Sequence, residues 1–360
     1  MASRSTPPQN HPMPGPQAAA GALPQVAIVI LNWNGWSDTL ACLASVAGLT
    51  YQNYRVIVVD NGSEDDSLSH LRKFVAPFAL TLIETGRNLG YAGGNNVGVR
   101  TALANGAHFI LILNNDTTVA PDLLEQLICA ADTHPRAGVF GARLFYASDP
   151  TRIWFDGARW NSQSMRLSWP GQGACETDLP TSIKETDYVC GAALFFRAEA
   201  AQQIGLLDEA FFLVWEEVDW CFRARKAGWQ NLVVPAAKVW HKIGVSFGDE
   251  SSPLRTYFSI RNEMLWASRH VPLFARLRLW AKNLRRLLPV FAYPRTDSPQ
   301  AKRLWWALQD YGRAWLGRGQ RLQYLATRRA ILDYMRRRFG DCPDEVRFWS
   351  KTWASRKHGY

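Results

Sequence analysis

The chain has no long uncharged apolar run, no C-x-x-C pair and no internal repeat. Each absence narrows the field. A membrane-spanning helix needs about 20 consecutive apolar residues, and no stretch here reads as one. The opening segment, residues 1–25, is rich in Pro, Ala, Gln and Gly and lacks the sustained apolar core of a secretory signal. It is expected to be a disordered tail. The six cysteines, Cys42, Cys129, Cys175, Cys190, Cys221 and Cys342, are scattered. That argues against a zinc knuckle or a thioredoxin-type centre and predicts reduced, cytosolic thiols. The glycine-rich stretch "GRNLGYAGGNNVGVR" has neither the G-x-G-x-x-G spacing of a dinucleotide fold nor the G-K-[ST] ending of a P-loop.

What is present is ordinary globular material with an uneven charge. The 360 residues are 47% hydrophobic and 20% charged, enough for one large domain with appendages. The net charge is +10, yet residues 255–360 hold 23 Lys and Arg against 7 Asp and Glu. The remainder holds 18 against 24. A mildly acidic body therefore precedes a strongly basic C-terminal third, which suits an anionic lipid, a nucleic acid or a phosphorylated substrate.

"VAIVIL", "YRVIVVD", "LTLIET" and "HFILIL" are short apolar runs of the kind buried in a parallel sheet. Segments with helical spacing alternate with them. This β-α-β-α order predicts an α/β fold with a doubly wound, mostly parallel sheet and helices on both faces. Ligands of such sheets bind beyond the carboxyl ends of the strands. Asn32, Asp60, Arg87-Asn88 and Asn114-Asn115-Asp116 fall there. From Leu254 onward helical spacing dominates. "LFARLRLWAKNLRRLL" is expected to place Leu273, Leu277, Trp280, Leu284 and Leu287 or Leu288 on one face. Arg278, Lys282, Arg285 and Arg286 fall largely on another.

Several residue groups have the chemistry of a site. Asp116 at a strand tip suits a hard cation that also takes phosphate oxygens, although Asn and Asp there also make an ordinary turn. The glycine-rich stretch lets backbone approach a ligand, with Arg87 in reach of a phosphate, or is a tight strand-to-helix turn. In "WEEVDWCFRARKAGW" three carboxylates, Glu216, Glu217 and Asp219, crowd a helix start. The helix dipole and a nearby cation favour their ionised forms, as a general base requires. They also suit a plain helix first turn paired with Arg223 or Arg225. His241 is a metal-ligand candidate, and Arg261-Asn262 in "YFSIRN" a phosphate clamp or a surface pair.

In order, "VAIVILNWNG…VIVVDNGSEDDS…GRNLGYAGGNN…ILILNNDT…FFLVWEEVDWCFRARKAGW…VWHKIGVS…YFSIRN" resembles glycosyltransferase family 2, and within it the bacterial rhamnosyltransferase and galactofuranosyltransferase branch. The resemblance covers Val26 to Arg269. It implies a GT-A fold and inverting transfer of a sugar, rhamnose favoured, from a nucleoside-diphosphate sugar to a saccharide or lipid-diphosphate-linked acceptor in polysaccharide and cell-wall biosynthesis. It implies donor contacts at Asn32, Asp60, Arg87, Asn88, Gly93, Asn95 and Asn115, to which Arg261 is added. The family's D-x-D element matches Asn114-Asn115-Asp116, with Asn in place of the first Asp. Its metal-binding Asp is kept as Asp116. Its H-x-x-G-x-S element matches His241, Gly244 and Ser246. Mg²⁺ or Mn²⁺ is thus expected on Asp116 and His241. The family's E-D pair matches Glu216-Glu217, so Glu217 stands where the base is normally Asp. Trp215 and Glu216 are assigned to the acceptor.

The expected organisation is a tail over 1–25, a GT-A catalytic domain over 26–250 and a basic helical region over 251–360. The protein is expected in the cytoplasm, held peripherally to an anionic membrane through Leu273 to Leu288. No nucleic acid is expected, since no recognition module accompanies the basic helices. Two other readings remain. A sugar-phosphate nucleotidyltransferase shares the open sheet, but "LNWNGWSDTL" lacks the basic glycine-rich loop it would carry after the first strand. A non-catalytic membrane- or nucleic-acid-binding protein on a degenerate GT-A fold is the other.

Overall fold

The computed structural model of the chain describes residues 23–243, 252–285 and 318–357. Its first strands are β1 (Val26–Asn32), β2 (Tyr54–Asp60), β3 (Ala79–Glu84) and β4 (Phe109–Asn114). Helices α1 (Trp36–Val46), α2 (Ser67–Lys73) and α3 (Gly90–Ala104) alternate with them. β1 is buried nearly throughout because it lies between β2 and β4, parallel to both. β3 pairs with β2 at the sheet edge and alternates in exposure, as a strand covered on one face does.

The chain continues through β5 (Thr117–Val119), α4 (Leu123–Thr133), β6 (Ala137–Tyr146), β7 (Asp149–Phe155), β8 (Arg159–Asn161), β9 (Arg166–Ser168) and β10 (Lys184–Glu185). Then come β11 (Ala193–Arg197), α5 (Ala198–Ile204), α6 (Glu216–Lys226) and β12 (Gln230–His241). The sheet order is β10-β12-β6-β11-β4-β1-β2-β3, with β5 on β12 and β7 on β6. The α/β fold and its central parallel strands are as expected. β11 departs from the parallel pattern, running antiparallel to both β4 and β6. No helical crossover of the kind that returns a chain in parallel lies between β6 and β11.

Register decides what meets at the ligand edge. Asn32 pairs with Asp60 across β1 and β2, and Leu31 pairs with Asn114 across β1 and β4. β12 runs antiparallel to β5 with His241 opposite Thr117, which sets His241 beside Asp116. The stretch read as a glycine-rich loop is mostly α3 itself. A Cβ on Gly98 would lie 2.3 Å from Val29, and one on Gly94 would lie 2.4 Å from Leu31. These glycines let the helix press against β1; they do not cradle a ligand.

Two expectations change here. Residues 1–22 of the proposed tail lie outside the described residues, but its last three are anchored. Leu23 O accepts from Asn53, Pro24 O from the Tyr51 hydroxyl, and Gln25 O from the His108 amide. In α8 (Leu273–Arg285), which follows α7 (Pro253–His270), the stripe drawn from the sequence loses one member, because Trp280 turns inward while its described leucines stay outward. Leu279 and Asn283 are buried, whereas Leu273, Leu277 and Leu284 are exposed together with Phe274. Trp280 packs on Tyr334, and Lys282 bonds Glu263 at 2.9 Å. Arg286, Leu287 and Leu288 lie outside the described residues.

The helices Arg318–Met335 and Asp344–Lys357 pack with α7 around a second apolar core. That core includes Tyr257, Phe258, Ala330, Ile331 and Val346, and also Phe212 from the loop before α6. The C-terminal helices are thereby joined to the catalytic-looking body at its most irregular loop.

Candidate active site

At the carboxyl edge of the sheet the side chains first bind one another. Asn32 is buried; its Nδ2 donates to Asp60 Oδ1 at 2.8 Å and its Oδ1 accepts from Thr39. Asp60 also takes the Ser63 amide and hydroxyl. These two residues form the floor of the site. Asn61 organises the next layer. Its Oδ1 accepts from the Leu89 amide, and its Nδ2 donates to Asn88 Oδ1 and Gly90 O. Asn88 Oδ1 in turn accepts from the Gly90 amide. Gly90 has φ +73°, and a Cβ there would lie 2.5 Å from Phe212 O. Only glycine lets the start of α3 meet the loop before α6.

These elements border an open cleft, lined by Trp33, Asn61, Asn88, Tyr91, Asn114 and Asn115 on the sheet side. Phe212, Leu213, Leu254, Phe258 and Arg347 line the other side. Of the donor residues expected from the sequence, Asn88 and Asn115 line it. Asn32 and Asp60 lie beneath. Asn95 and Gly93 are buried within α3, where Asn95 Nδ2 bonds Tyr91 O. Arg87 is exposed at the turn before α3.

Arg261 is the clear correction. It is fully buried, and its guanidinium donates to the carbonyls of Ala210, Phe211 and Asp341 and to the Tyr257 hydroxyl. Asn262 Nδ2 donates to the carbonyls of Phe211, Leu213 and Val214. The pair clamps backbone, not phosphate. The clamped loop needs it: Phe212, Val214 and Trp215 have φ of 62°, 59° and 77°. Non-glycine residues rarely adopt such angles, and three within four positions require external support.

That loop delivers α6, whose first turn carries the carboxylates. Glu216 is buried and Glu217 half-buried. Burial raises the Glu216 carboxyl well above its usual range, and the Glu217 charge adds to this. Burial also lifts Glu217, to about 7, against the pull of amides at Glu217, Val218 and Trp215. The expectation that the helix start and a nearby cation together keep Glu217 ionised is not met by the helix start alone, which desolvation outweighs. One oxygen of each, Oε2, has no hydrogen-bond partner among the described residues. Asp219 is different. Burial opposes its charge, but His270, Arg223 and Arg269 surround it and hold its carboxyl below the usual range. The Arg223 bond is 2.8 Å, the i,i+4 pair foreseen in the sequence. Trp215 packs on Trp266.

Asp116 and His241 meet as expected, Oδ1 to Nε2 at 3.0 Å, both buried. His241 Nδ1 has no partner among the described residues. No cluster of three or more His, Cys, Asp or Glu that could hold a metal is found among the described residues. One carboxylate plus one imidazole nonetheless fits Mg²⁺ or Mn²⁺, which complete their shells with phosphate and water. Gly244 and Ser246 lie outside the described residues.

Tyr91, which sequence reasoning did not single out, joins the parts. Its hydroxyl donates to Gly191 O at 2.7 Å. It is raised well above its ordinary range, first by burial and then by the charges of Glu216, Glu217, Cys190 and Asp116. The carboxylates of α6 and the strand-tip Asp116 thus act on one buried phenol, at the inner wall of the cleft.

Residues 27–204 match the model of glycosyl transferase family 2. A dTDP-rhamnosyl transferase of Shigella flexneri is 26% identical over 265 residues, covering 69% of this chain and 82% of the relative. An N-acetylglucosaminyl-diphospho-decaprenol L-rhamnosyltransferase of Mycobacterium tuberculosis is 28% identical over 237 residues, covering 60% and 75%. The structure of a mannosyltransferase from Pyrobaculum calidifontis with GDP-Man and Mn²⁺ superposes with a TM-score of 0.53 at 17% identity, covering 88% of each chain. The last likeness is one of fold.

Proposed function

We propose that this chain, which belongs to glycosyl transferase family 2, transfers a sugar with inversion from a nucleoside-diphosphate donor to a hydroxyl of a saccharide or lipid-diphosphate-linked acceptor in polysaccharide biosynthesis. One observation carries the reading. Asp116 meets His241 at 3.0 Å, and its neighbours Asn114 and Asn115 wall the cleft at the strand tips. The donor nucleotide lies across Asn61, Asn88 and Asn115, and Trp33 offers an exposed ring to its base. Asp116 and His241 would hold a divalent cation, which would supply charge neutralisation for the departing diphosphate; Mn²⁺ accompanies GDP-Man in the Pyrobaculum neighbour.

Glu217 takes the acceptor proton. As the acceptor oxygen bonds to the anomeric carbon, the bond from that carbon to the diphosphate oxygen breaks on the opposite face. The diphosphate leaves with the electron pair and the proton rests on Glu217. A carboxyl lifted to about 7 suits this work, because it is substantially ionised near neutrality yet basic enough to hold the proton. Glu216, with Trp215 beside it, orients the acceptor. Rhamnose is the favoured sugar, since relatives are rhamnosyltransferases. The outward stripe of α8, with Leu273, Phe274, Leu277 and Leu284 exposed in a basic C-terminal third, binds an anionic bilayer at the cytoplasmic face. No helix among the described residues is long and apolar enough to cross a membrane.

The test is a panel of dTDP-rhamnose, UDP-galactofuranose, UDP-glucose and GDP-mannose with Mg²⁺ or Mn²⁺, with and without a diphospholipid-linked N-acetylglucosamine acceptor. Acceptor-dependent release of nucleoside diphosphate, lost in excess chelator, is expected. Turnover that survives the chelator removes the metal from the reading. Failure to bind or turn over any of the nucleotide sugars removes the transferase.

A further inference from the structure

We infer that Arg347, on the terminal helix Asp344–Lys357, is a donor-binding residue that contacts the diphosphate of the nucleotide. The inference rests on the nucleotide-sugar reading above and extends it to a part of the chain outside the family match, which ends at residue 204.

The first ground is charge. The cleft wall offers amides, aromatic rings and aliphatic groups, and among the described residues that line it Arg347 alone carries a formal charge. A diphosphate brings two or more negative charges into that space, and an Arg guanidinium matches phosphate oxygens with a planar fork of donors.

The second ground is how the side chain is held. Arg347 Nη2 donates to both oxygens of Asp341, at 2.5 and 2.6 Å. Both bonds leave from one terminal nitrogen. The Nε and Nη1 protons are not engaged by Asp341, so the guanidinium is oriented without being consumed.

The third ground is position. The turn that carries Asp341 is stapled to the loop before α6: the Gly340 amide donates to Ala210 O at 2.8 Å, and Arg261 reaches Asp341 O. Val346, beside Arg347, is fully buried in the second apolar core. A basic residue near the end of the chain is thus fixed against the same loop that positions the candidate base.

Calorimetric titration of the full chain in Mn²⁺ buffer with UDP, GDP and dTDP, and with the three matching monophosphates, tests the assignment. For whichever diphosphate the wild type binds, Arg347→Gln should weaken binding about tenfold or more, the scale of a lost charge-assisted contact. The matching monophosphate should weaken much less. Arg347→Lys should fall between, since it keeps the charge and loses the fork. Asp341→Asn removes the ion pair but leaves the guanidinium, and should bind diphosphate at least as tightly as wild type. The inference is overturned if Arg347→Gln binds diphosphate like wild type, or if Arg347→Gln and Asp341→Asn lose affinity equally. The latter result makes the pair a strut for the turn. A wild type that binds none of the nucleotides defeats the nucleotide-sugar reading itself, and the inference falls with it.

Discussion

The two walls of the cleft are built in opposite ways. The sheet wall is local: Asn114 and Asn115 stand at the tip of β4 over a floor of Asn32 and Asp60 set side by side by strand register, and Asn61 just past β2 holds Asn88. The α6 wall is imposed from a distance. Its loop holds three non-glycine residues at positive φ, secured by Arg261 and Asn262 from about 50 positions later in the chain. A wall whose geometry follows from strand pairing tolerates small losses; a strained wall depends on its clamps. Substitutions at the two walls should therefore fail differently.

The largest effect is expected at Glu217, the proposed base, which follows the strained loop in the first turn of α6. Glu217→Gln keeps the shape and removes the basic oxygen, so turnover should fall about 10²- to 10⁴-fold with donor affinity nearly unchanged. In the wild type, turnover should climb as pH rises through about 7, because only the ionised carboxylate accepts a proton. If Glu216→Gln or Asp219→Asn is the dead variant while Glu217→Gln turns over normally, the base has been misassigned.

Next comes the clamp. Asn262→Ala withdraws the donor from three carbonyls. Each buried acceptor left unsatisfied costs about 1–3 kcal/mol, so urea denaturation should show at least that loss, accompanied by lost turnover. An Asn262→Ala protein of normal stability and activity would show that the loop keeps its shape unaided. On the sheet wall, Gly98→Ala drives a methyl into Val29. Overpacking of this kind costs about 1–3 kcal/mol. Here stability should fall while the surviving folded fraction keeps its turnover, and equal damage to both would erase the contrast between the walls.

The smallest effect concerns α8, which touches neither wall. Leu277→Glu on its exposed stripe should leave stability and soluble-acceptor turnover unchanged and reduce sedimentation with anionic vesicles at low salt. Wild-type protein that stays in the supernatant with every vesicle composition makes the stripe a feature of packing instead.

How far the site could be read in advance follows the same division. Asp116 was legible from its place just past the tip of β4, and His241 from the family resemblance; the pairing of β12 with β5 brings the two together. Asn61 stands first in an Asn-Gly pair, an ordinary turn signal, and that context hides a side chain making three hydrogen bonds to the next loop. Arg261-Asn262 was misread because an Arg-Asn pair on a helix looks the same whether it faces phosphate or carbonyls. Phe212, Val214 and Trp215 gave no sign of positive φ, since glycine or asparagine is the usual marker and neither is there. Arg347 lies in a region without a motif, and only the tertiary fold brings it to the cleft. On α8, helical spacing grouped Leu273, Leu277 and Leu284 on one exposed face but could not show that Trp280 packs on Tyr334.

The bond from the Gly340 amide to Ala210 O has a consequence in time. A ribosome makes the sheet first, and strands β1 to β4 can pair while much of the chain is still unmade. The loop before α6 cannot settle until residue 340 has emerged. At elongation speeds of about 5–20 residues per second, the roughly 120 positions between α6 and that turn correspond to about 6 to 24 seconds of synthesis. During that interval the nascent protein carries a nearly finished nucleotide wall and an unset catalytic one, so the growing chain should acquire donor-binding surface before it acquires the ability to spend the donor.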